Sequence, residues 1–270
     1  MSFKVGVYVD AENIRLSGGF KMRYDVLRRF AERDTGLVQR LNTYIAIDRT
    51  RWDQDPSYKE KQTNYLKRLR EFGWYIDEKE VKRFRDEEGN TVTKANADME
   101  LAIDALIQSD KLDHVYLVTG DGDFCRLVRA LQDKGCRVHV IGFQNVSRDL
   151  RRAADFYISG FLIPGLLPIE DGGTWGEVGS RVRGSLRFHL PEKKIGFISI
   201  IGTIDRYLWV SDDRAPDSPY IKSVILEADL PAGIDFQTLD SENMGLEFRL
   251  EENTYSDPPF IAKDCKVISL

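Results

Sequence analysis

Histidine and cysteine are scarce in this chain, with three of each among 270 residues. Cys125, Cys136 and Cys265 are odd in number and lack CxxC spacing, which argues against a disulfide framework or a structural zinc site. His114, His139 and His189 sit in or beside strand-like runs and read as structural. No apolar run reaches the ~20 residues that span a bilayer, so no membrane partner is expected. The opening residues, MSFKVGVYVDAEN, enter a strand at once and carry an acid within it, unlike a signal peptide. A reducing cytoplasm is the expected location. A general excess of positive charge is missing too: the net charge is −5. Residues 175–270 carry 11 Lys+Arg against 16 Asp+Glu, so residues 1–174 are neutral. Any nucleic-acid footprint must therefore be local.

The chain does have enough apolar residues, 42%, for more than one core, and its length suggests two domains. Up to residue 160 the pattern alternates strand and helix. Strands are expected at 3–10, 37–47, 74–85, 91–93, 114–120, 137–143 and 155–159, with a turn at 86–90. Helices are expected at 23–33, 57–72, 97–109, 122–134 and 147–154. In the helix at 97–109, Met99, Ala102, Ile103 and Leu106 are the expected core stripe. Near-continuous apolar strands in βαβα order predict a parallel sheet with helices on both faces. Sites in such sheets form beyond the carboxyl ends of the strands. Residues 161–180 read as a linker. Residues 181–270 show only short alternating strands, among them Arg206–Ser211, and predict a small β-barrel.

Acids stand at those strand ends. Asp10 follows VGVYV, and Asn13 can orient it or a water. Asp121 and Asp123 lie in TGDGDF, where the glycines permit close backbone approach and the Thr119 hydroxyl can support a carboxylate or phosphate. Asp98 opens the helix in KANADMELAID; Lys94 is a candidate phosphate contact, and Asp104 is a secondary candidate sharing a face with Glu100. Each acid also has a simple reading as a helix cap or dipole partner. Converging carboxylates repel unless a cation neutralises them. An all-oxygen set without His or Cys suits Mg²⁺ or Mn²⁺ better than zinc.

In this order VDAEN, KANADMELAID, TGDGDF and VIGFQNVSRDLRRAADFYI resemble the NYN domain, a family of the PIN-like ribonucleases. The resemblance covers roughly residues 3–160. It implies a Rossmann-like three-layer sandwich whose acidic cluster binds Mg²⁺ or Mn²⁺ and cleaves RNA. The matching positions are Asp10, Asn13, Asp98, Asp121 and Asp123. Asn145, Ser147 and Leu150 match a late GxxNxSxxL element that would frame the site mouth. Single-stranded RNA is the implied partner, and self-association is left open.

Candidate RNA contacts are Lys59, Lys67 and Arg68 on one helix and Arg148, Arg151 and Arg152 on another; a solvated face is the plain alternative. GSLRFHLPEKKIGFISI and RYLWVSDD resemble parts of a cold-shock or OB-like barrel, with Phe188, Phe197 and Trp209 at stacking positions. The resulting expectation is a metal-dependent endoribonuclease. The alternative is an RNA-binding or regulatory adapter with the same fold. A phosphatase with an Asp nucleophile would want an acid of the same type two residues after Asp10, where Glu12 stands.

Overall fold

The structure, a computed structural model, describes residues 2–85, 91–94, 97–204, 215, 218–239, 243–254 and 257–270. The first part of the chain runs β1 (Phe3–Asp10), α1 (Ala11–Leu16), α2 (Tyr24–Glu32), β2 (Gly36–Ile47), α3 (Arg49–Gln54), α4 (Pro56–Glu71), β3 (Tyr75–Glu80), β4 (Lys82–Arg85), β5 (Thr91–Lys94) and α5 (Asp98–Gln108). It continues through β6 (His114–Val118), α6 (Cys125–Asp133), β7 (Arg137–Gly142), α7 (Arg148–Ala153) and β8 (Phe156–Ser159). The second part holds β9 (Arg181–Leu190), β10 (Ile195–Ile201), β11 (Tyr220–Leu226), β12 (Met244–Glu252) and β13 (Phe260–Ser269). The chain divides into two compact units: residues 1–20 with 35–158, and residues 21–34 with 159–270.

The first unit is a Rossmann-like parallel sheet in the order β3-β2-β1-β6-β7-β8, flanked by helices. The chain leaves β1 toward β2 and β3, then returns to place β6 on the other side of β1. That reversal makes the β1/β6 seam a topological switch point, where the carboxyl ends open a crevice. Side-chain parity aims the residues there. Tyr8 and Leu117 are register partners and share one apolar core with Leu101 and Ala105 of α5 and Leu127, Val128 and Leu131 of α6. Alternation along a strand puts residues two apart on one face, so Asp10 shares the face of Tyr8 and Thr119 that of Leu117. Burying each such apolar side chain is worth roughly 1.5–3 kcal/mol, so a one-residue slip that exposed this layer is excluded.

Local chemistry sets the helix ends. Asp10 caps α1 by accepting from the Asn13 amide at 3.1 Å. Asp55 caps α4 through the Tyr58 amide at 3.0 Å, with Pro56 in the first turn, where its missing N–H costs nothing. Two helices absent from the sequence reading, α1 and α3, have six residues each, too short for a periodic signal to stand out. The expected strand at 74–85 is broken at Val81 into β3 and β4.

The expected core stripe of α5 needs correction. Leu101 and Ala105 are buried, Ala102 and Leu106 partly so, but Met99 is 73%, Ile103 47% and Ile107 68% exposed. The helix carries two apolar stripes, and periodicity cannot say which faces the sheet. The small Ala105 permits close approach, and Tyr44 of β2 donates to Asp104 Oδ2 at 2.7 Å, fixing the rotation.

In the second unit the five strands close a barrel in the order β10-β11-β13-β12-β9. All pairings are antiparallel except β11 with β13. Val182, Leu186, Ile198, Ile225, Phe248 and Leu250 are among the residues that fill it. A β-carbon on Gly196 would stand 2.6 Å from the Phe236 ring, so that strand must be bare at this position. The expected strand Arg206–Ser211 lies outside the described residues.

Candidate functional site

The site grows from the seam between β1 and β6. Thr119, fully buried, donates its hydroxyl to Asp10 Oδ2 at 3.2 Å and accepts the Asp121 amide at 3.2 Å. Asn13 Oδ1 accepts the Gly120 amide at 2.8 Å. The two loops that carry the acids are therefore joined twice, once by a hydroxyl and once by a carboxamide. Asp121 accepts the Asp123 amide at 2.9 Å and so caps the turn at Gly122–Phe124 that leads into α6.

Burial pushes the Asp10 carboxyl up to about 6; the Asn13 amide opposes this, Asp98 adds to it, the Thr119 hydroxyl opposes it and Asp121 adds again. Asp10, Asp98 and Asp121 are thus one electrostatic group, drawn from three separate segments. Asp98 reaches it by heading α5 over the face that Asp10 occupies. Asp123 is exposed and does not act on Asp10 at this strength. Asp104 is directed elsewhere, onto the Tyr44 hydroxyl; burial, with Asp104 beside it, pushes that phenol up, so it stays a donor. Tyr44 is the register partner of Asp10, a relationship that only strand pairing reveals.

A hard cation suits this donor set chemically. The half-buried Asp10 carboxylate is disfavoured by desolvation and by two further carboxylates, and a divalent ion would relieve both. Among the described residues, no three His, Cys, Asp or Glu side chains are already drawn together as a ligand cage.

Asn145 and Ser147 lie beside the loop that follows β6. Asn145 sits at φ 57°, in the left-handed region, and Ser147 caps α7 while its amide donates to the Gly120 carbonyl at 2.9 Å. A β-carbon on Gly122 would stand 2.7 Å from Ser147 Oγ, so the glycine lets the two loops close on each other. Arg148 and Arg152 of α7 are exposed, whereas Arg151 is partly buried over the Tyr157 ring at 4.8 Å. On α4, Lys59 stands in the first turn near the carboxyl edge. Lys67 and Arg68 lie about 12–14 Å further along the axis, away from that edge. In the barrel Phe188 and Phe197 stack at 4.5 Å, with Phe188 55% exposed. Trp209 and the side chain of Lys94 lie outside the described residues. No helix among the described residues is long and apolar enough to cross a membrane.

Comparison with known proteins adds to this geometry. A profile of the NYN domain matches residues 4–166. The chain is similar to the low amplitude and bright protein LabA of Synechococcus elongatus, 28% identical over 162 residues, which are 57% of this chain and 82% of LabA. It is also similar to a crystal structure of a protein of unknown function, VPA0982, from Vibrio parahaemolyticus RIMD 2210633. There the identity is 26% and the TM-score 0.47, over 58% of this chain and 93% of that one.

Proposed function

This chain belongs to the NYN domain family, and from that premise we propose that it is a divalent-metal-dependent endoribonuclease acting on single-stranded RNA. The observation that carries the reading is the half-buried Asp10 at a switch point, tied through Thr119 to the loop of Asp121, with its carboxyl pushed up by desolvation and by Asp98 and Asp121. In this reading Asp10, Asp98 and Asp121 hold Mg²⁺ or Mn²⁺, and Asp123 contributes from the solvent side. When bound, the cation supplies an acidified water and neutralises charge building on the phosphodiester. Thr119 keeps Asp10 aimed by donating to one oxygen and leaving the other to a ligand and the Asn13 amide. Asn13 keeps the loops of β1 and β6 in register. Lys59, Arg148 and Arg152 hold the RNA backbone near the edge, and Phe188 and Phe197 of the barrel supply a second stacking pair. The three free thiols suit a reducing cytoplasm.

The test is cleavage of a mixed RNA pool in Mn²⁺ by the wild type, Asp10→Asn and Asp121→Asn. Loss of cleavage in both variants is expected; equal cleavage by all three sinks the metal-site assignment.

A second reading, a catalytically silent RNA-binding or regulatory adapter, is favoured by one observation. Asp10 and Asp121 each already have a capping role, and no ligand cage is preassembled among the described residues. Binding of RNA by the wild type with no cleavage in Mg²⁺ or Mn²⁺ supports it.

A further inference from the structure

The short helix α3 fully buries none of its side chains, yet it carries a tryptophan. Trp52 itself is half-buried, so packing leaves part of its ring open. Arg49 lies over its ring at 5.3 Å, and Arg51 lies over the Tyr58 ring at 4.6 Å where α4 begins. Both rings are partly exposed. Two arginine-covered aromatics thus follow one another along an exposed elbow.

The elbow belongs to the same sheet edge as the acids. Asp10 pairs with Tyr44, and β2 continues three residues beyond that pair, roughly 10 Å, before α3 starts. Arg15 of α1 is held by Glu12 through two bonds, from Nε at 2.9 Å and Nη2 at 2.5 Å, and acts weakly on the Tyr58 phenol. The acids of this segment are partly engaged. Asp48 accepts the Arg51 amide at 3.1 Å and Asp55 the Tyr58 amide at 3.0 Å, so both face helix N-termini, and Asp55 also pairs loosely with Arg51 Nε at 3.5 Å. Arg49 is also braced on Glu78 of β3 at 2.9 Å, which fixes its position.

We propose that this elbow is a base-stacking platform that guides single-stranded RNA toward the acidic cluster. Trp52 and Tyr58 take successive bases on their open faces, and Arg15 and Arg51 take the phosphates between them. The proposal rests on the nucleic-acid reading of the acidic site. Aromatic faces accept any base, so the platform confers strand affinity without sequence choice. The arginines add a phosphate-binding component that weakens with salt.

The experiment is fluorescence anisotropy of 5′-fluorescein 12-nucleotide RNAs, one mixed in sequence and one of uridine, with the full chain in EDTA so that cleavage plays no part. Trp52→Ala and Tyr58→Ala are each expected to weaken binding about tenfold with an unchanged melting midpoint. Tyr58→Phe should bind as the wild type does. Trp52→Leu preserves apolar surface and should lose affinity like the alanine variant, which separates stacking from misfolding. Wild-type affinity in all four variants overturns the platform, and a loss confined to Phe188→Ala places the strand on the barrel instead. If the wild type binds neither RNA, the nucleic-acid reading itself fails and the platform with it. If the wild type binds RNA in EDTA but cleaves none in Mn²⁺, the metal-site reading fails and the platform stands.

Discussion

The Thr119 hydroxyl donates to Asp10 Oδ2 at 3.2 Å while accepting the Asp121 amide at the same distance. One buried side chain therefore sets the orientation of one acid and the backbone of another. Thr119→Val keeps shape but removes both partners. It should destabilise the fold by about 1–3 kcal/mol and weaken Mn²⁺ binding. Urea melts with and without Mn²⁺ check both effects; unchanged stability would show that water replaces the hydroxyl.

Asp10 makes the metal-free protein sensitive to pH in an uncommon direction. Its folded carboxyl is raised from the ordinary aspartate value of 3.8 to about 6, so the folded state favours the proton. The stability this contributes is fully present below about 4 and is lost as pH rises through about 6, for a change of roughly 3 kcal/mol. Asp10→Asn should flatten that slope and be the more stable protein above pH 6 in EDTA. Denaturation midpoints at pH 4.5 and 7.5 measure it, and parallel slopes for the two proteins would contradict the attribution. The same ionisation predicts that divalent-cation affinity falls below pH 6.

Gly122 and Ser147 should behave as a coupled pair. Gly122→Ala places a β-carbon 2.7 Å from Ser147 Oγ and presses on the cap of α7. A loss of about 1–2 kcal/mol is expected, from the disturbed cap and local crowding. Ser147→Gly keeps a tolerable cap residue and should recover part of the loss when combined with Gly122→Ala. A double-mutant cycle reads this directly, and additive effects would rule out the steric link.

In the barrel, Glu247 faces two buried arginines, accepting from Arg183 Nε at 2.9 Å with Arg181 Nη1 at 3.8 Å. Glu247→Gln takes the charged partner from buried Arg183, while Arg181 keeps Asp264, and should cost about 3 kcal/mol. Replacing both Arg183 and Glu247 by Met should cost less than the single change. Thermal melts of the three variants decide the order.

The acids were legible in the sequence because strand ends and turns advertise themselves locally. An apolar run that stops at Asp10, and two aspartates among glycines at 119–123, need no tertiary information to be noticed. A parallel sheet in the first unit and a closed barrel in the second followed from alternation of strand and helix and from the short alternating runs after residue 181, whereas the order of strands came from the pairing itself. The rotation of α5 was not legible. Met99, Ile103 and Ile107 repeat at helical spacing as well as Leu101 and Ala105 do, and the choice between the stripes belongs to the sheet. The bonds of Tyr44 to Asp104 and of Thr119 to Asp10 span 60 and 109 residues, beyond any periodic signal.

By itself the sequence determined the fold class, the family and the acidic positions, since these depend on local pattern and on residue type. Only the tertiary structure decided which acids share a field. Pairing of β1 with β6 and the docking of α5 bring Asp10, Asp98 and Asp121 together and leave Asp104 on Tyr44. Coulombic coupling depends on distance through space, and distance through space is fixed by packing.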